Sequence, residues 1–212
     1  MTELKTEKYI CIFQEKEYIF PDRLKMPFQF SPEKLAADLS ILEKIEWTKH
    51  FVKQNYEGDW SAIPLRSPAG ETHPIRMIYS DPSAKEFVDT IYLKQCPYFQ
   101  EVLRAFDCEI GVVRLMKLAA GSRIKEHSDY DLCYEDGTVR FHIPVVTNPE
   151  IEFYLNKERV ILNAGECWYL RLSEPHLVNN FSNEDRVHLV IDVTVNDWIT
   201  EIFSQTANVS KI

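Results

Sequence analysis

The sequence predicts a mainly β protein, with an antiparallel sandwich or barrel in the second half of the chain and helices of the first half packed outside it. Three observations support this fold class. After residue 109, short β-rich segments alternate with turn residues and no helical pattern intervenes. Before residue 109, two segments have the spacing of amphipathic helices. No low-complexity linker divides the 212 residues, so the whole chain, 1–212, is expected to form a single domain.

Two helices are predicted in residues 1–108, the helical and loop part of the chain. The first, SPEKLAADLSILEKIEW, has Ser31 as its N-cap and Pro32 at the first helical position, followed by leucines that recur on one side. The second, CPYFQEVLRAF, begins with Pro97 in the same way. Between them, NYEGDWSAIPLRSPAGETHP is polar and rich in proline and glycine, which predicts loops.

The strands are predicted in residues 109–195, where β-branched residues and a period of two dominate. They are EIGVVRLMKL, TVRFHIPVVT, IEFYLN, ERVILN, CWYLRL and RVHLVIDVTV. Asn, Asp, Gly and Pro residues separate these segments at turn positions. Short strands with close turns indicate an antiparallel arrangement, of which the jelly roll is one form. Residues 196–212 are expected to be a C-terminal tail.

Composition excludes several classes of partner. The net charge of −9 argues against a nucleic acid or an anionic membrane, because both are bound mainly through an excess of Lys and Arg. No apolar run approaches the roughly 18 residues of a transmembrane helix, and the start MTELKTEKYICIFQEKEY lacks the apolar core of a signal peptide. The five cysteines are scattered and form no CxxC pair, which favours reduced thiols. A cytoplasmic protein is expected, of unknown oligomeric state.

The segment RIKEHSDYD places His127 and Asp129 two residues apart, on the same face of an extended chain. Imidazole and carboxylate together suit a first-row ion such as Fe(II), Mn(II) or Zn(II). Taken alone, such a pair is more often part of a surface turn. A metal site is indicated only if a third ligand can be found. His176 in SEPHLVNN is favoured, because a polar junction presents its side chain. His188 lies inside a strand and suits a supporting hydrogen bond better.

Two arginine–histidine pairs lie within alternating strands: Arg140 with His142, and Arg186 with His188. The members of each pair are two residues apart and share a face, while apolar residues form the other face. If the shared face is exposed to solvent, no site is required. If it faces a barrel interior, the unpaired charges need an anion, and arginine binds a carboxylate through two parallel hydrogen bonds. Two histidines and one carboxylate on one face of an iron then form the facial triad of non-haem oxygenases.

Four segments carry a family resemblance: RLMKLAAGSRIKEHSDYD, RFHIPVVTNPEIEFYL, NAGECWYL and EPHLVNNFSNEDRVHLVIDV. In this order they resemble the aspartyl/asparaginyl β-hydroxylase family of 2-oxoglutarate-dependent oxygenases, including its bacterial relatives that hydroxylate free proline. The resemblance covers about residues 109–195. A further segment, GDWSAIPLRSPAG at 58–70, is similar to the substrate-side loop of the bacterial members.

This resemblance implies a double-stranded β-helix in which His127, Asp129 and His176 bind Fe(II). It also implies that Arg186, ten residues after His176, binds the far carboxylate of 2-oxoglutarate. The animal aspartyl hydroxylases lack the carboxylate ligand. The presence of Asp129 therefore favours the bacterial branch, which acts on small molecules.

The resemblance also assigns roles around the metal. Arg140 and His142 match positions that face the co-substrate or the substrate, and Arg66 in PLRSPAG is a candidate for binding the substrate's carboxylate. The implied activity is hydroxylation of a free amino acid or a small amino-acid derivative, with conversion of 2-oxoglutarate and O2 to succinate and CO2. Ascorbate would serve as the reductant in an assay. Three alternatives stay open: β-hydroxylation of a peptide or protein, a cupin-type metal enzyme without 2-oxoglutarate, and a binding module.

Overall fold

The computed structural model describes residues 19–130 and 132–209. Two antiparallel sheets dominate this part of the chain. Across the larger sheet the strands are β1 (Arg23–Gln29), β11 (Glu166–Leu170), β8 (Thr138–Val146), β13 (Arg186–Thr194), β6 (Ile110–Leu118), β4 (Trp60–Pro68) and β2 (Thr48–Lys49), and β5 (Phe87–Asp89) also pairs with β4. Across the smaller sheet they are β10 (Glu158–Val160), β9 (Ile151–Leu155), β12 (His176–Asn180), β7 (Arg123–His127) and β3 (Tyr56–Glu57).

Four helices complete the described part: α1 (Pro32–Ile41), α2 (Pro74–Ile78), α3 (Pro97–Leu103) and α4 (Asp197–Val209). The predicted helices correspond to α1 and α3. Ser31 caps α1 by accepting a hydrogen bond from the Lys34 N–H, and proline occupies the first turn of both helices. Leu35 and Phe99 are fully buried against the outer face of the larger sheet. The mainly β fold with helices outside is therefore confirmed, and the facing sheets form a double-stranded β-helix of the jelly-roll type.

The period of two sorts the side chains of the central strands as predicted. Phe141 and Ile143 of β8 belong to the core between the larger sheet and the helices. His142 points the other way, and its ring centroid lies 6.3 Å from that of Phe153 in the opposite sheet. The face of the larger sheet that carries the arginine–histidine pairs is thus the barrel interior, which rules out the alternative that it faces solvent.

The first half of the chain contains more β structure than the sequence predicted. The segment predicted as loops holds β4, nine residues that pair with β6. Its side chains are buried on both faces, so it has no polar–apolar alternation, and Pro64 lies beside a shift in register. Strand β1, which was not predicted, pairs with β11. The description of residues 1–108 as helices and loops is therefore corrected.

Two further differences concern the second half. Strands β7 and β12 were not predicted, and they are the ones that carry the histidines of the candidate site. The C-terminal tail is mostly helix α4, whose Ile199 and Phe203 are fully buried. Residues 210–212 and 1–18, with the expected absence of a signal peptide and with Cys11, lie outside the described residues.

Among the described residues, none of the helices has both the length and the apolar character that a bilayer crossing requires. The expected cytoplasmic location and the expected absence of a nucleic-acid partner stay predictions.

Candidate active site

His127, Asp129 and His176 come together where two neighbouring strands of the smaller sheet end. His127 is the last residue of β7 and His176 the first of β12, and antiparallel pairing sets them opposite each other, with ring centroids 4.3 Å apart. The backbone N–H of Asp129 donates to the Leu172 carbonyl at 2.8 Å, which fixes the chain just after β7. One potential ligand atom from each of the three side chains lies within 4.8 Å of the others, so the cluster is a candidate metal centre.

Both histidines are held in the tautomer that leaves Nε2 open. Nδ1 of His127 lies 2.8 Å from the Lys125 carbonyl oxygen, and Nδ1 of His176 lies 3.0 Å from the Glu174 carbonyl oxygen. Because a carbonyl only accepts, each Nδ1 carries the proton and each Nε2 presents a lone pair. Metal-binding histidines are typically oriented by such a hydrogen bond from the other ring nitrogen.

The donor atoms of the cluster suit a bound cation. Burial, followed by the neighbouring His127, lowers the pKa of His176 to about 4, so its ring is neutral at pH 7. Oδ2 of Asp129 accepts a hydrogen bond from Arg140 at 3.0 Å, while Oδ1 lies 3.6 Å from Nε2 of His127. One oxygen is thus held by an arginine and the other lies beside an imidazole. Two imidazole nitrogens and one carboxylate suit a divalent first-row ion.

A second cluster lies on the interior face next to Asp129, and Asp192 is its centre. Oδ1 of Asp192 accepts from Nε of Arg140 at 2.6 Å, and Oδ2 accepts from Arg140 at 3.0 Å and from Arg114 at 3.2 Å. The Ser80 hydroxyl donates to the same carboxylate and accepts from both arginines. Burial opposes the ionisation of Asp192, but the two arginines and these hydrogen bonds outweigh it and hold the pKa of Asp192 well below its usual range.

Arg114 keeps part of its guanidinium open. Its Nη1 contacts Asp192 and Ser80, whereas its Nε and Nη2 have no hydrogen-bond partner among the described residues. Burial lowers the pKa of Arg114 to about 10 against the opposing effect of Asp192, so the group stays charged at neutral pH. Arg114 and Arg140 share the buried carboxylate of Asp192, and Arg140 also pairs with Asp129, so two arginines are matched by two carboxylates while Arg114 keeps open hydrogen-bond donors.

The deep end of the interior, away from Asp192, is a chain of buried nitrogens. Nη2 of Arg186 donates to Nδ1 of His188 at 2.9 Å, and Nδ1 of His142 lies 3.4 Å from the same atom. Burial lowers the pKa of both histidines well below the usual value and lowers that of Arg186 to about 9. Nε of Arg186 and Nε2 of both histidines are buried without a hydrogen-bond partner in the described part of the chain. No carboxylate pairs with Arg186 there.

A cavity of about 780 Å³ opens beside the metal cluster. His127 and Asp129 line it, together with the cluster around Asp192. His142, His188 and Arg186 are not among its lining residues. The candidate centre therefore lies between an open cavity on one side and the enclosed chain of nitrogens on the other.

Arg66 does not lie at this site. Its Nη1 pairs with Asp89 at 2.5 Å, its Nε donates to the Ile110 carbonyl at 3.1 Å, and it lines a separate groove of about 440 Å³. The pairing of β4 with β5 brings Asp89 opposite Arg66. The prediction that Arg66 binds the substrate's carboxylate is corrected, since its charge is already paired outside the cavity. Arg140 is also engaged, by Asp129 and Asp192, but it does line the cavity.

Sequence reasoning missed Asp192, Ser80 and the role of Arg114. The sequence could have identified Asp192. Arg186, His188 and Asp192 lie at even spacings on one strand, so the period of two assigns all of them to the same face. Arg114 lies opposite Val190 of that face in the neighbouring strand. Ser80 had no comparable signal, since it follows α2 in a loop and only tertiary packing brings it to Asp192.

Residues 33–195 match the family model of the aspartyl/asparaginyl β-hydroxylases. The chain is 29% identical over 167 residues to the L-proline cis-4-hydroxylase of Rhizobium meliloti strain 1021, an alignment that covers 77% of this chain and 58% of that protein. It is 25% identical over 177 residues to L-proline cis-3-hydroxylase 1 of a Streptomyces species, covering 82% and 60% respectively. The chain thus spans less than two thirds of the length of these relatives.

Among solved structures, the fold is similar to that of an oxidoreductase of the 2OG-Fe(II) oxygenase family from Burkholderia pseudomallei. The TM-score is 0.51 at 13% identity, with 82% of this chain and 84% of that chain covered. At this level of identity the likeness concerns the fold alone.

Proposed function

Because this chain belongs to the aspartyl/asparaginyl β-hydroxylase family, we propose that it is an Fe(II)- and 2-oxoglutarate-dependent hydroxylase of a free amino acid or a small amino-acid derivative. One observation carries the proposal: His127, Asp129 and His176 converge in a barrel whose interior also holds Arg186, a buried arginine that has no anionic partner among the described residues. The two relatives named as proline hydroxylases support an amino acid as the substrate class.

The donor set fits Fe(II). Two open Nε2 atoms and one carboxylate oxygen are the ligands of a facial triad, which leaves coordination positions for a co-substrate and O2. His127, Asp129 and His176 would hold the ion. Arg140 would keep Asp129 in place through its hydrogen bond to Oδ2.

The deep end fits 2-oxoglutarate. A buried guanidinium without an anion is costly, and a dicarboxylate bound there removes that cost. Arg186 would hold the far carboxylate, and His188 is fixed as a donor at Nε2 because its Nδ1 accepts from Arg186. When bound, Fe(II) and 2-oxoglutarate supply the chemistry that hydroxylates a C–H bond with O2 and releases succinate and CO2.

The chain's own residues bind and orient the reactants. The open edge of Arg114, beside Arg140, would bind the substrate's carboxylate, since only its Nη1 is engaged by Asp192 and Ser80. Apolar side chains such as Phe153, Leu155 and Leu170 fill the interior around the histidines and exclude water from it. Asp192 and Ser80 hold both arginines in fixed orientations before a ligand arrives.

The test is succinate formation from 2-oxoglutarate with Fe(II) and ascorbate, first without a substrate and then with single free amino acids. Slow uncoupled turnover is expected, and an active amino acid should gain one oxygen by mass. His176→Ala should abolish turnover and weaken Fe(II) binding. A folded, iron-loaded wild-type protein that forms no succinate under any of these conditions would refute the proposal and favour a metal enzyme without 2-oxoglutarate.

Arg186→Met tests the co-substrate site separately. Losing hydrogen bonds to a charged group, worth roughly 1.5–3 kcal/mol each, should weaken 2-oxoglutarate binding at least about tenfold. Fe(II) affinity should stay the same, and the metal-free protein should become more stable because an unpaired buried charge is removed. Arg123→Met, at an exposed arginine paired with Glu57, is the control and should change neither ligand's affinity. An unchanged KM for 2-oxoglutarate in the folded Arg186→Met variant would place the co-substrate elsewhere.

A further inference from the structure

A row of aromatic rings runs from the candidate metal centre to the mouth of the large cavity. The Trp60 ring lies 6.1 Å from the His127 ring, the His50 ring stacks on Trp60 at 3.6 Å and 15°, and Phe51 follows His50 at 4.7 Å. Tyr79 meets Phe51 edge-on at 5.6 Å. All four residues beyond His127 line the cavity. We call Trp60, His50, Phe51 and Tyr79 the aromatic row.

Exposure along the aromatic row increases with distance from the metal centre. Trp60 is 7% exposed, His50 is half-buried, Phe51 is 39% exposed and Tyr79 is 44% exposed. Large exposed apolar side chains that adjoin one another at a cavity mark a binding surface more often than isolated ones do. The row is therefore a continuous apolar wall, buried at the reactive end and open at the outer end.

His50, the one imidazole of the row, remains uncharged at neutral pH. Burial, followed by the charge of Arg114, lowers the pKa of His50 to about 3. Its Nδ1 accepts the Val52 N–H at 3.4 Å, which helps to keep the ring parallel to Trp60. The row thus presents ring faces rather than a charge.

The opposite part of the same cavity carries two arginines that are paired with Asp129 and Asp192. Arg114, with its open edge, and Arg140 line it beside Asp129. A ligand that fills the cavity therefore meets the open hydrogen-bond donors of Arg114 at one end and an apolar wall leading outward. The cavity, at about 780 Å³, lies within the roughly 300–1,000 Å³ of sites that take drug-sized ligands.

We propose that the aromatic row selects a free amino acid whose side chain is apolar and longer than the proline ring, with the carboxylate at Arg114 and the side chain lying along Trp60, His50, Phe51 and Tyr79. This inference rests on the proposed hydroxylase function and narrows its substrate class. Proline alone would leave the outer half of the row exposed, whereas a long apolar side chain removes ring surface from water at both ends.

The test measures binding rather than turnover. L-Proline, L-leucine, L-phenylalanine and L-2-aminooctanoic acid are titrated calorimetrically into protein loaded with 2-oxoglutarate and with Zn(II) in place of Fe(II), so that no reaction proceeds. The long apolar amino acids should bind at least about tenfold more tightly than L-proline, since affinity rises with the apolar area buried.

Variants test whether the outer end of the aromatic row causes the preference for long apolar side chains. The double variant Phe51→Ala/Tyr79→Ala should weaken binding of L-2-aminooctanoic acid about tenfold and leave L-proline within about twofold. Ile91→Ala removes a more exposed apolar side chain that does not line the cavity and should change neither affinity. His50→Phe keeps the stacking and should retain the preference for long side chains.

The outcomes separate this inference from the proposed function. Wild-type protein that forms succinate but binds L-proline as tightly as the long apolar amino acids would overturn the inference and leave the function intact. An equal loss for L-proline and the long amino acids in the double variant would also overturn it. Equally tight binding of octanoate would contradict recognition of an amino acid. Absence of succinate formation would instead refute the proposed function.

Discussion

Asp192 fixes the orientation of both arginines that line the cavity. It is buried, and its two oxygens accept hydrogen bonds from Arg140 and Arg114. Breaking a buried ion pair by removing one partner leaves the other charge uncompensated where little of it is exposed to water. A single side chain thus contributes to stability and also orients the part of the cavity that would bind a carboxylate.

Asp192→Asn should lower the free energy of unfolding by roughly 3–5 kcal/mol, as expected when a buried pair loses one charge. Asp185→Asn is the matched control, because Asp185 pairs with Lys117 at 3.7 Å near the other end of the same strand pair but is largely exposed. Its ion pair should be worth less than about 1 kcal/mol. Urea unfolding of both variants measures the difference. Equal losses of unfolding free energy would show that the buried network stabilises the protein no more than an exposed ion pair does.

At the scale of elements, strand β13 sets the distance between the two ends of the interior. Its interior face carries Arg186, His188, Val190 and Asp192, in that order, at intervals of two residues. Six residues of extended chain span about 20 Å. One strand therefore places a cation at the deep end and a carboxylate at the cavity end, with the metal cluster of the opposite sheet between them.

Gly165 allows β1 to join the edge of the larger sheet. The Phe30 N–H, just after β1, donates to the Gly165 carbonyl at 2.9 Å, and the Gly165 N–H donates to the Pro144 carbonyl at the same distance. Gly165 has a φ of +78°, and a Cβ at this position would lie 2.1 Å from the Phe30 carbonyl oxygen. Only a residue without a side chain allows this approach of the two backbones.

Gly165→Ala should therefore destabilise the protein by about 2–5 kcal/mol, the sum of left-handed backbone strain and a steric clash. Gly137→Ala provides the comparison, because Gly137 has a φ of +82° but no heavy atom within 4 Å of the Cβ position. It should lose only about 1–2 kcal/mol. Chemical denaturation of the two variants separates the two effects, because Gly137→Ala reports the backbone strain alone and Gly165→Ala reports the strain together with the clash. Similar values would mean that β1 can move away from the turn without loss.

At the scale of the whole molecule, the two facing sheets enclose histidines that stay neutral. Burial is the largest cause that lowers the pKa of His50, to about 3, and those of His142 and His188 well below the usual value. In the unfolded chain each is expected to titrate near 6.5. As the pH falls below about 6.5, the unfolded state therefore takes up protons that the folded state does not.

The metal-free protein should accordingly lose stability as the pH falls from 7.5 to 5, by up to about 1.4 kcal/mol per pH unit for each of these histidines. The stability that comes from keeping these histidines neutral is fully present above pH 6.5 and is lost as the pH falls below it. Urea midpoints at a series of pH values measure the slope. His50→Phe, which keeps the stacking on Trp60, should reduce the slope of stability against pH by about the contribution of one histidine. A midpoint that does not change between pH 7.5 and 5.5 would contradict the burial of these neutral rings.

Local pattern in the sequence determined which way the side chains of the central strands face. Alternation in RFHIPVV and RVHLVID assigned Arg140, His142, Arg186 and His188 to one face, and the structure places that face inside the barrel. The spacing of His127 and Asp129 likewise predicted a pair that points in one direction. These features need only neighbouring residues, because the pleat of an extended chain sets them.

Only the tertiary structure decided which charges meet. Arg66 is paired with Asp89 and Arg140 with Asp192, and these partners lie 23 and 52 residues apart in the chain. Strand β4 has no alternating pattern because both its faces are buried by elements distant in sequence. The residue types and periods encode the direction of each side chain. The residue with which each side chain pairs depends on strand pairing and packing across the whole fold. A local sequence pattern does not contain that information.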